Sequence, residues 1–192
     1  MLRPMDTIDT ARLHLRPLDG RDEALYCSLY TDPDVMRHVA TPMSAAAAQR
    51  SFAAACRLQQ PRVQRWIVRE RAAAADIGLL GLVPLGDAAA ELGVMLLGPW
   101  HGRGYATEAM AGLRDHAFTA LRLQQLVVLQ ATAANAAVSR MMPRLDFVRI
   151  AAHPGPDIRW ELQRGDWRTR AAPAEAPRPD GKLPVSPNGN PR

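Results

Sequence analysis

The residues with the most chemical potential lie between Pro99 and Met110, PWHGRGYATEAM, where Gly102 and Gly104 stand between an apolar run and an amphipathic one. Glycines ahead of a helix let successive backbone N–H groups converge on an anion, and the positive end of the helix favours the negative charge. The segment predicts a phosphate cradle built from backbone, with a plain tight turn as the alternative. Its spacing is too short for a dinucleotide fingerprint, and it lacks the Lys-Ser or Lys-Thr of a P-loop. Cys27 and Cys56 fall in helix-like stretches without metal-ligand spacing, so they read as buried, reduced thiols and no metal is implied.

Periodicity supplies the elements that must position this segment. ARLHLRPL (Ala11 to Leu18) alternates and ends near Pro17, as an edge strand does. Asp19 to Tyr30 reads as a short helix, Thr31 to Pro42 as a turn-rich link, and Ser44 to about Gln59 as an alanine-rich helix with Ala48, Phe52 and Ala55 or Cys56 inward. Arg65 to Glu70, Asp76 to Leu85 and Glu91 to Leu97 read as consecutive antiparallel strands. Apolar residues then recur every three or four positions from Ala106 to Leu121, a helix. Leu126 to Ala131 is a buried strand by composition, Asn135 to Leu145 a helix, and Phe147 to Ala152 and Ile158 to Arg164 the last strands. The order predicts an α/β domain with a mixed sheet and the ligand where helix N-termini meet strand ends.

At 192 residues, with 47% hydrophobic and 22% charged residues, the chain matches one soluble globular domain. That domain is expected over residues 1–170; residues 171–192 hold six of the 16 prolines and read as a disordered tail. The net charge of +5 comes from 23 arginines against one lysine, Lys182, but the arginines form no run and only 5% of residues are aromatic. Nucleic-acid binding is therefore disfavoured, whereas a basic face that attracts a phosphorylated small molecule fits. No stretch has the length of a membrane helix or a signal peptide, and the expected location is cytoplasmic.

With these residues in view, the chain resembles the GNAT family of N-acetyltransferases, and within it the branch of bacterial ribosomal-protein N-terminal acetyltransferases. The resemblance runs from about Thr10 to Trp167 through TARLHLRPL, TDPDVMRHV, IGLLGLVPL, ELGVMLL, HGRGYATEAM, NAAVSRMMPRLDF and IRWELQRGDW, with HGRGYATEA the most specific. It implies a mostly antiparallel central sheet of about seven strands flanked by about four helices, splayed between the fourth and fifth strands. The family's motif for the acetyl-CoA pyrophosphate maps onto His101, Gly102, Arg103, Gly104, Tyr105 and Ala106, with Thr107 in the same helical turn; His101 replaces the usual Gln or Arg. The strand at Glu91 to Leu97 would admit the pantetheine arm, held by backbone near Leu96 and Leu97, where fixed N–H groups polarise the thioester carbonyl. A homodimer is compatible with the resemblance.

The implied reaction is direct acetyl transfer to a primary amine, which must lose a proton. About one in ten α-amines is neutral at pH 7, against fewer than one in a thousand lysines, so an α-amine asks less of a base. Glu91 matches an acidic position of the branch and could take that proton; the plainer alternative is a carboxylate that anchors a loop. Asn135 matches an Asn that contacts the pantetheine, and could equally be an N-cap. The serine that commonly follows it by three residues, a proton donor to the departing thiolate, is Val138 here, leaving Ser139 as the candidate about 100° around the helix. Pro143 inside that helix and Asp146 in place of a glycine are further departures; Asp can adopt the left-handed conformation the glycine supplies. His38, Trp66 and Trp160 are candidates to line the acceptor groove. The acceptor could be a peptide or protein N-terminus, an aminoglycoside or a polyamine. These departures also motivate a rival, a non-catalytic acyl-CoA-binding domain.

Overall fold

The computed structural model describes residues 5–57, 63–151 and 157–167. They form one eight-stranded sheet in the order β1 (Ile8–Asp9), β2 (Leu13–Pro17), β3 (Gln64–Glu70), β4 (Ala75–Pro84), β5 (Ala89–Leu96), β6 (Gln125–Gln130), β8 (Ile158–Gln163), β7 (Val148–Arg149). All neighbours are antiparallel except β5 and β6. The helices are α1 (Glu23–Thr31), α2 (Pro33–Met36), α3 (Ala45–Arg57), α4 (Tyr105–Thr119) and α5 (Ala136–Arg144). The mixed, mostly antiparallel sheet is the expected one, but with eight strands and five helices rather than about seven and four. The additions, β1 and α2, are too short to leave a periodicity. α2 starts where Asp32 accepts from the Asp34 and Val35 N–H groups and Pro33 fills a position that needs no donor. The proposed tail, Gln59, Pro61 and Ala152 lie outside the described residues.

Alternation along the strands sends side chains into two cores. On one face α4 and α5 cover Leu13, Leu15, Val68, Leu80 and Leu92; on the other, α1 to α3 cover Ile67 and Leu79 with Tyr26, Leu29 and Phe52. Trp66 is wholly buried and donates its indole N–H to the Asp6 carbonyl, and Trp160 is buried with its indole N–H on Gln130. Both are core residues, not groove residues, because their strand positions face inward. Cys27 and Cys56 are free thiols but only partly buried, each pushed up by desolvation.

The one parallel junction makes the opening. β5 and β6 pair only at Ala89 with Gln125, Ala90 with Leu126 and Glu91 with Val127, yet β5 continues to Leu96 and β6 to Gln130. On its other edge β5 stays paired with β4 as far as Leu96 opposite Gly78. Gly78 permits this: a Cβ there would lie 2.2 Å from the Met95 carbonyl oxygen. Within the β4–β5 ladder, Leu97 N–H donates to the Ile77 carbonyl and Leu85 N–H to that of Ala89, which sets the bonded pairs on odd-numbered residues. Past the last pair with β6, Val94 and Leu96 therefore turn their peptide groups toward the gap.

Candidate active site

The glycine segment ends at an uncapped helix. Gly102 and Gly104 hold φ of +75° and +78°, left-handed values that disfavour a side chain. Gly104 is the N-cap of α4 and no side chain caps it, so the first-turn N–H groups at Tyr105, Ala106 and Thr107 lack intrahelical acceptors. Three groups brace this turn on the β1–β2 loop through one carboxylate. Glu108 accepts from the Thr10 hydroxyl at 2.7 Å, the Arg12 N–H at 2.7 Å and Arg12 Nε at 2.6 Å. Burial pushes the Glu108 pKa up, but these donors outweigh it and hold the group below its usual value. Arg12 also donates Nη1 to the Arg103 carbonyl and lies over the Tyr105 ring at 4.4 Å. The clamp was missed in the sequence because Glu108 lies 98 residues from Thr10 and 96 from Arg12.

His101 has a different job from the one its motif position suggests. Its Nε2–H donates to the Leu96 carbonyl at 2.8 Å, tying the glycine loop to the end of β5. Arg103 is exposed, with its guanidinium over Trp100 at 5.4 Å. Leu97, expected to hold the arm with Leu96, uses both its peptide groups internally: its N–H goes to Ile77 and its carbonyl accepts from Trp100. Leu96 keeps its position in the cleft.

A cleft of about 560 Å³ runs from this loop along β5, lined by Leu96, Gly102, Gly104, Tyr105, Ala106 and Thr107 on one side. It is also lined by Asn135 and three arginines: Arg37 (which pairs with Asp34), Arg140 and Arg144. The last two sit four apart on α5, a spacing that could have flagged them. A second cleft of about 510 Å³ opens on the Glu91 side. The two share His38, Val39, Val94, Met95, Asn135, Val138 and Met141, so they meet inside the β5–β6 gap, with His38 and Asn135 as the polar side chains at the junction.

Glu91 is the last residue of β5 paired with β6 and lines the second cleft. No hydrogen bond or ion pair engages its carboxylate among the described residues. Burial pushes its pKa up, the nearby Asp157 charge adds to this, and Arg159 opposes it. It thus has no partner of the kind that a loop anchor requires. Asn135 caps α5 by accepting the Val138 N–H at 3.3 Å and lines both clefts.

Ser139 lines neither cleft. Its hydroxyl donates to Gln130 Oε1 at 3.3 Å and accepts from Gln130 Nε2 at 3.1 Å. Buried Gln130 also donates to the Thr132 and Asn135 carbonyls and accepts the Trp160 indole N–H at 3.0 Å. Pro143 removes the helix bond to the Ser139 carbonyl, yet this hub holds the hydroxyl away from the cleft. Ser139, expected as the proton donor, is therefore turned away from the cleft in which the thiolate would leave. Asp146 does take the left-handed conformation, φ +67°, and pairs with buried Arg114 at 3.2 Å. No cluster of metal-ligating side chains occurs among the described residues, and no helix there is long and apolar enough to cross a membrane.

Comparison with known proteins places this geometry. Residues 12–148 match the family profile of the acetyltransferase (GNAT) domain. An uncharacterized N-acetyltransferase, p20, of Bacillus licheniformis is 27% identical over 127 residues, covering 64% of this chain and 71% of that protein. An Agrobacterium tumefaciens acetyltransferase is 25% identical, with a TM-score of 0.69 over 85% of this chain and 97% of its own. A Vibrio cholerae spermidine N-acetyltransferase, solved with CoA and spermine, shares the fold at 18% identity, with a TM-score of 0.70 over 82% of this chain and 98% of its own.

Proposed function

The chain belongs to the GNAT acetyltransferase family, and from that premise we propose that it transfers an acetyl group from acetyl-CoA to a primary amine, with a peptide or protein N-terminal α-amine as the favoured acceptor, as in the ribosomal-protein branch. The observation that carries the reading is the Glu91 carboxylate, unpaired among the described residues, at the point where β5 and β6 part and facing the second cleft.

Acetyl-CoA supplies the acetyl group activated as a thioester. The residues fit its charge: backbone N–H groups from Gly102 to Thr107 would receive the pyrophosphate, with His101 bracing the loop, Arg103 beside it, and Arg140 and Arg144 lining the same cleft. Leu96 and Val94 present N–H groups toward the gap for the arm and the carbonyl oxygen, and Asn135 adds a side-chain amide.

Glu91 takes the proton that the acceptor ammonium must lose, directly or through water, and its raised pKa makes it a better base than an exposed carboxylate. His38, at the junction of the clefts, is the side chain assigned to hand a proton to the leaving thiolate. The second reading, a polyamine acceptor, draws on the two carboxylates Glu91 and Asp157 in the acceptor cleft.

Titration with acetyl-CoA, followed by a free-CoA release assay on peptide N-termini, aminoglycosides and polyamines, tests this. Binding with release on N-terminal peptides is the expected result. Binding without release on any amine would favour a non-catalytic acyl-CoA-binding domain, and absence of binding would overturn the site.

A further inference from the structure

The acceptor cleft holds one arginine that the transfer reaction does not use. Arg65 on β3 lines it, forms no ion pair among the described residues, and keeps its Nη1 buried without a hydrogen-bond partner. Buried guanidinium donors in native proteins nearly always have an acceptor. The neighbouring strands leave room for one. Arg65 pairs with Gly81, and Gly81 with Gly93, so the three share a sheet face in one row across β3, β4 and β5. A Cβ at either glycine would meet nothing within 4 Å, so the missing side chains serve no close packing and instead leave a trough. Glu91 lies two residues from Gly93 along β5, on the same face, with Asp157 beside it. Tyr30 from α1 and His38 from the loop after α2 wall the trough.

We propose that Arg65 is a specificity residue that binds an anionic group of the acceptor while its amine lies at Glu91. The two Cα atoms are two strands and two residues apart, or about 12 Å at usual sheet spacings, and allowing a hydrogen-bond length at each end leaves about 6 Å between amine and anion. That separation suits a dipeptide, through its C-terminal carboxylate, or a longer N-terminus with an acidic second residue. A polyamine has nothing to offer Arg65 and meets its repulsion. The inference rests on the acetyl-transfer reading of this cleft and narrows its acceptor.

The test compares acceptors that differ only in the anion: Gly-Gly against Gly-Gly-amide, and an amidated tetrapeptide with Asp at its second position against the same peptide with Asn, with spermidine as a third arm. For wild type at saturating acetyl-CoA, at least one anionic member should show a KM about tenfold or more below its neutral partner, and the responsive pair identifies the source of the anion. Arg65→Gln should abolish that preference and leave the KM of the neutral partner and of acetyl-CoA unchanged; Arg65→Lys should retain part of it. Equal KM values within both pairs in wild type, which needs no variant to fold, or an unaltered preference in R65Q, would overturn the proposal while leaving acetyl transfer intact. If no amine is acetylated, the transfer reading fails separately, and calorimetric binding of the same peptides to the CoA-saturated protein still decides the anchor: tighter binding of the anionic members supports it and indifference overturns it.

Discussion

Replacing Glu91 by Gln keeps the size of the side chain and removes its basicity, which isolates the proton step. A positioned general base contributes roughly 10²–10⁴-fold, so E91Q should lose that much in kcat/KM at pH 7. The loss should not be constant. An acceptor α-amine with a pKa near 8 is about one-tenth neutral at pH 7 and about nine-tenths neutral at pH 9, so solvent does the work of the base as pH rises and the deficit shrinks by about tenfold. Free-CoA release at saturating acetyl-CoA across that range measures it. Stability gives an independent readout of opposite sign. The folded Glu91 pKa lies above the ordinary 4.5 because of burial and then Asp157, so ionisation disfavours the folded state above that pH, and the neutral variant should melt at the wild-type temperature or higher at pH 7. A carboxylate that anchored a loop would behave in reverse, with a lower Tm and near-normal kcat. That pattern, or a deficit that does not change with pH, would refute the assignment of Glu91 as base.

Three further substitutions address the rest of the site. Gly104→Val puts a β-branched residue at φ +78°, at a cost of at least about 1–2 kcal/mol, and calorimetry should show acetyl-CoA affinity at least about tenfold weaker in a folded protein; unchanged affinity would remove the glycine loop from the site. Glu108→Gln loses the charge that collects Thr10 and Arg12, and with Arg12 partly exposed should cost about 0.5–1 kcal/mol by thermal melting. Because the Glu108 pKa is depressed, the wild-type contribution is present above pH 4.5 and fades as pH falls through the folded value, so the melting difference between wild type and E108Q should vanish in acid. Ser139→Ala should leave kcat unchanged and lower stability by about 1 kcal/mol through its bonds to Gln130, and a large fall in kcat would return Ser139 to the chemistry.

The glycine loop and α4 were legible because their signal is local: glycines at two left-handed positions, followed at once by a 3.6-residue period. Asp146 was legible for the same reason, since its conformational tolerance substitutes for glycine in place. Ser139 was not. Its hydroxyl faces Gln130 because β6 and α5 pack at a particular rotation, and a shift of one position in a helix is all that separates a cleft residue from a hub residue. His101 likewise matches its motif by position, while its side chain answers to the nearest free carbonyl, that of Leu96.

Least legible was the charge pattern of the acceptor cleft, and the reason is register. Arg65, Gly81 and Gly93 align only because β3, β4 and β5 pair with those partners. A slip of one residue in either ladder would send Arg65 or a glycine to the other face, fill the trough and separate Arg65 from Glu91. That register is held from outside the cleft, by Gly78 letting β5 close on β4 and by Ile67 locked beneath α1 and α3. Substitutions far from the amine can therefore change which amines are accepted without touching a group that handles the proton. Specificity in this fold should drift more readily than catalysis, because the base depends on one side chain at the fork of two strands whereas the anchor depends on the alignment of three.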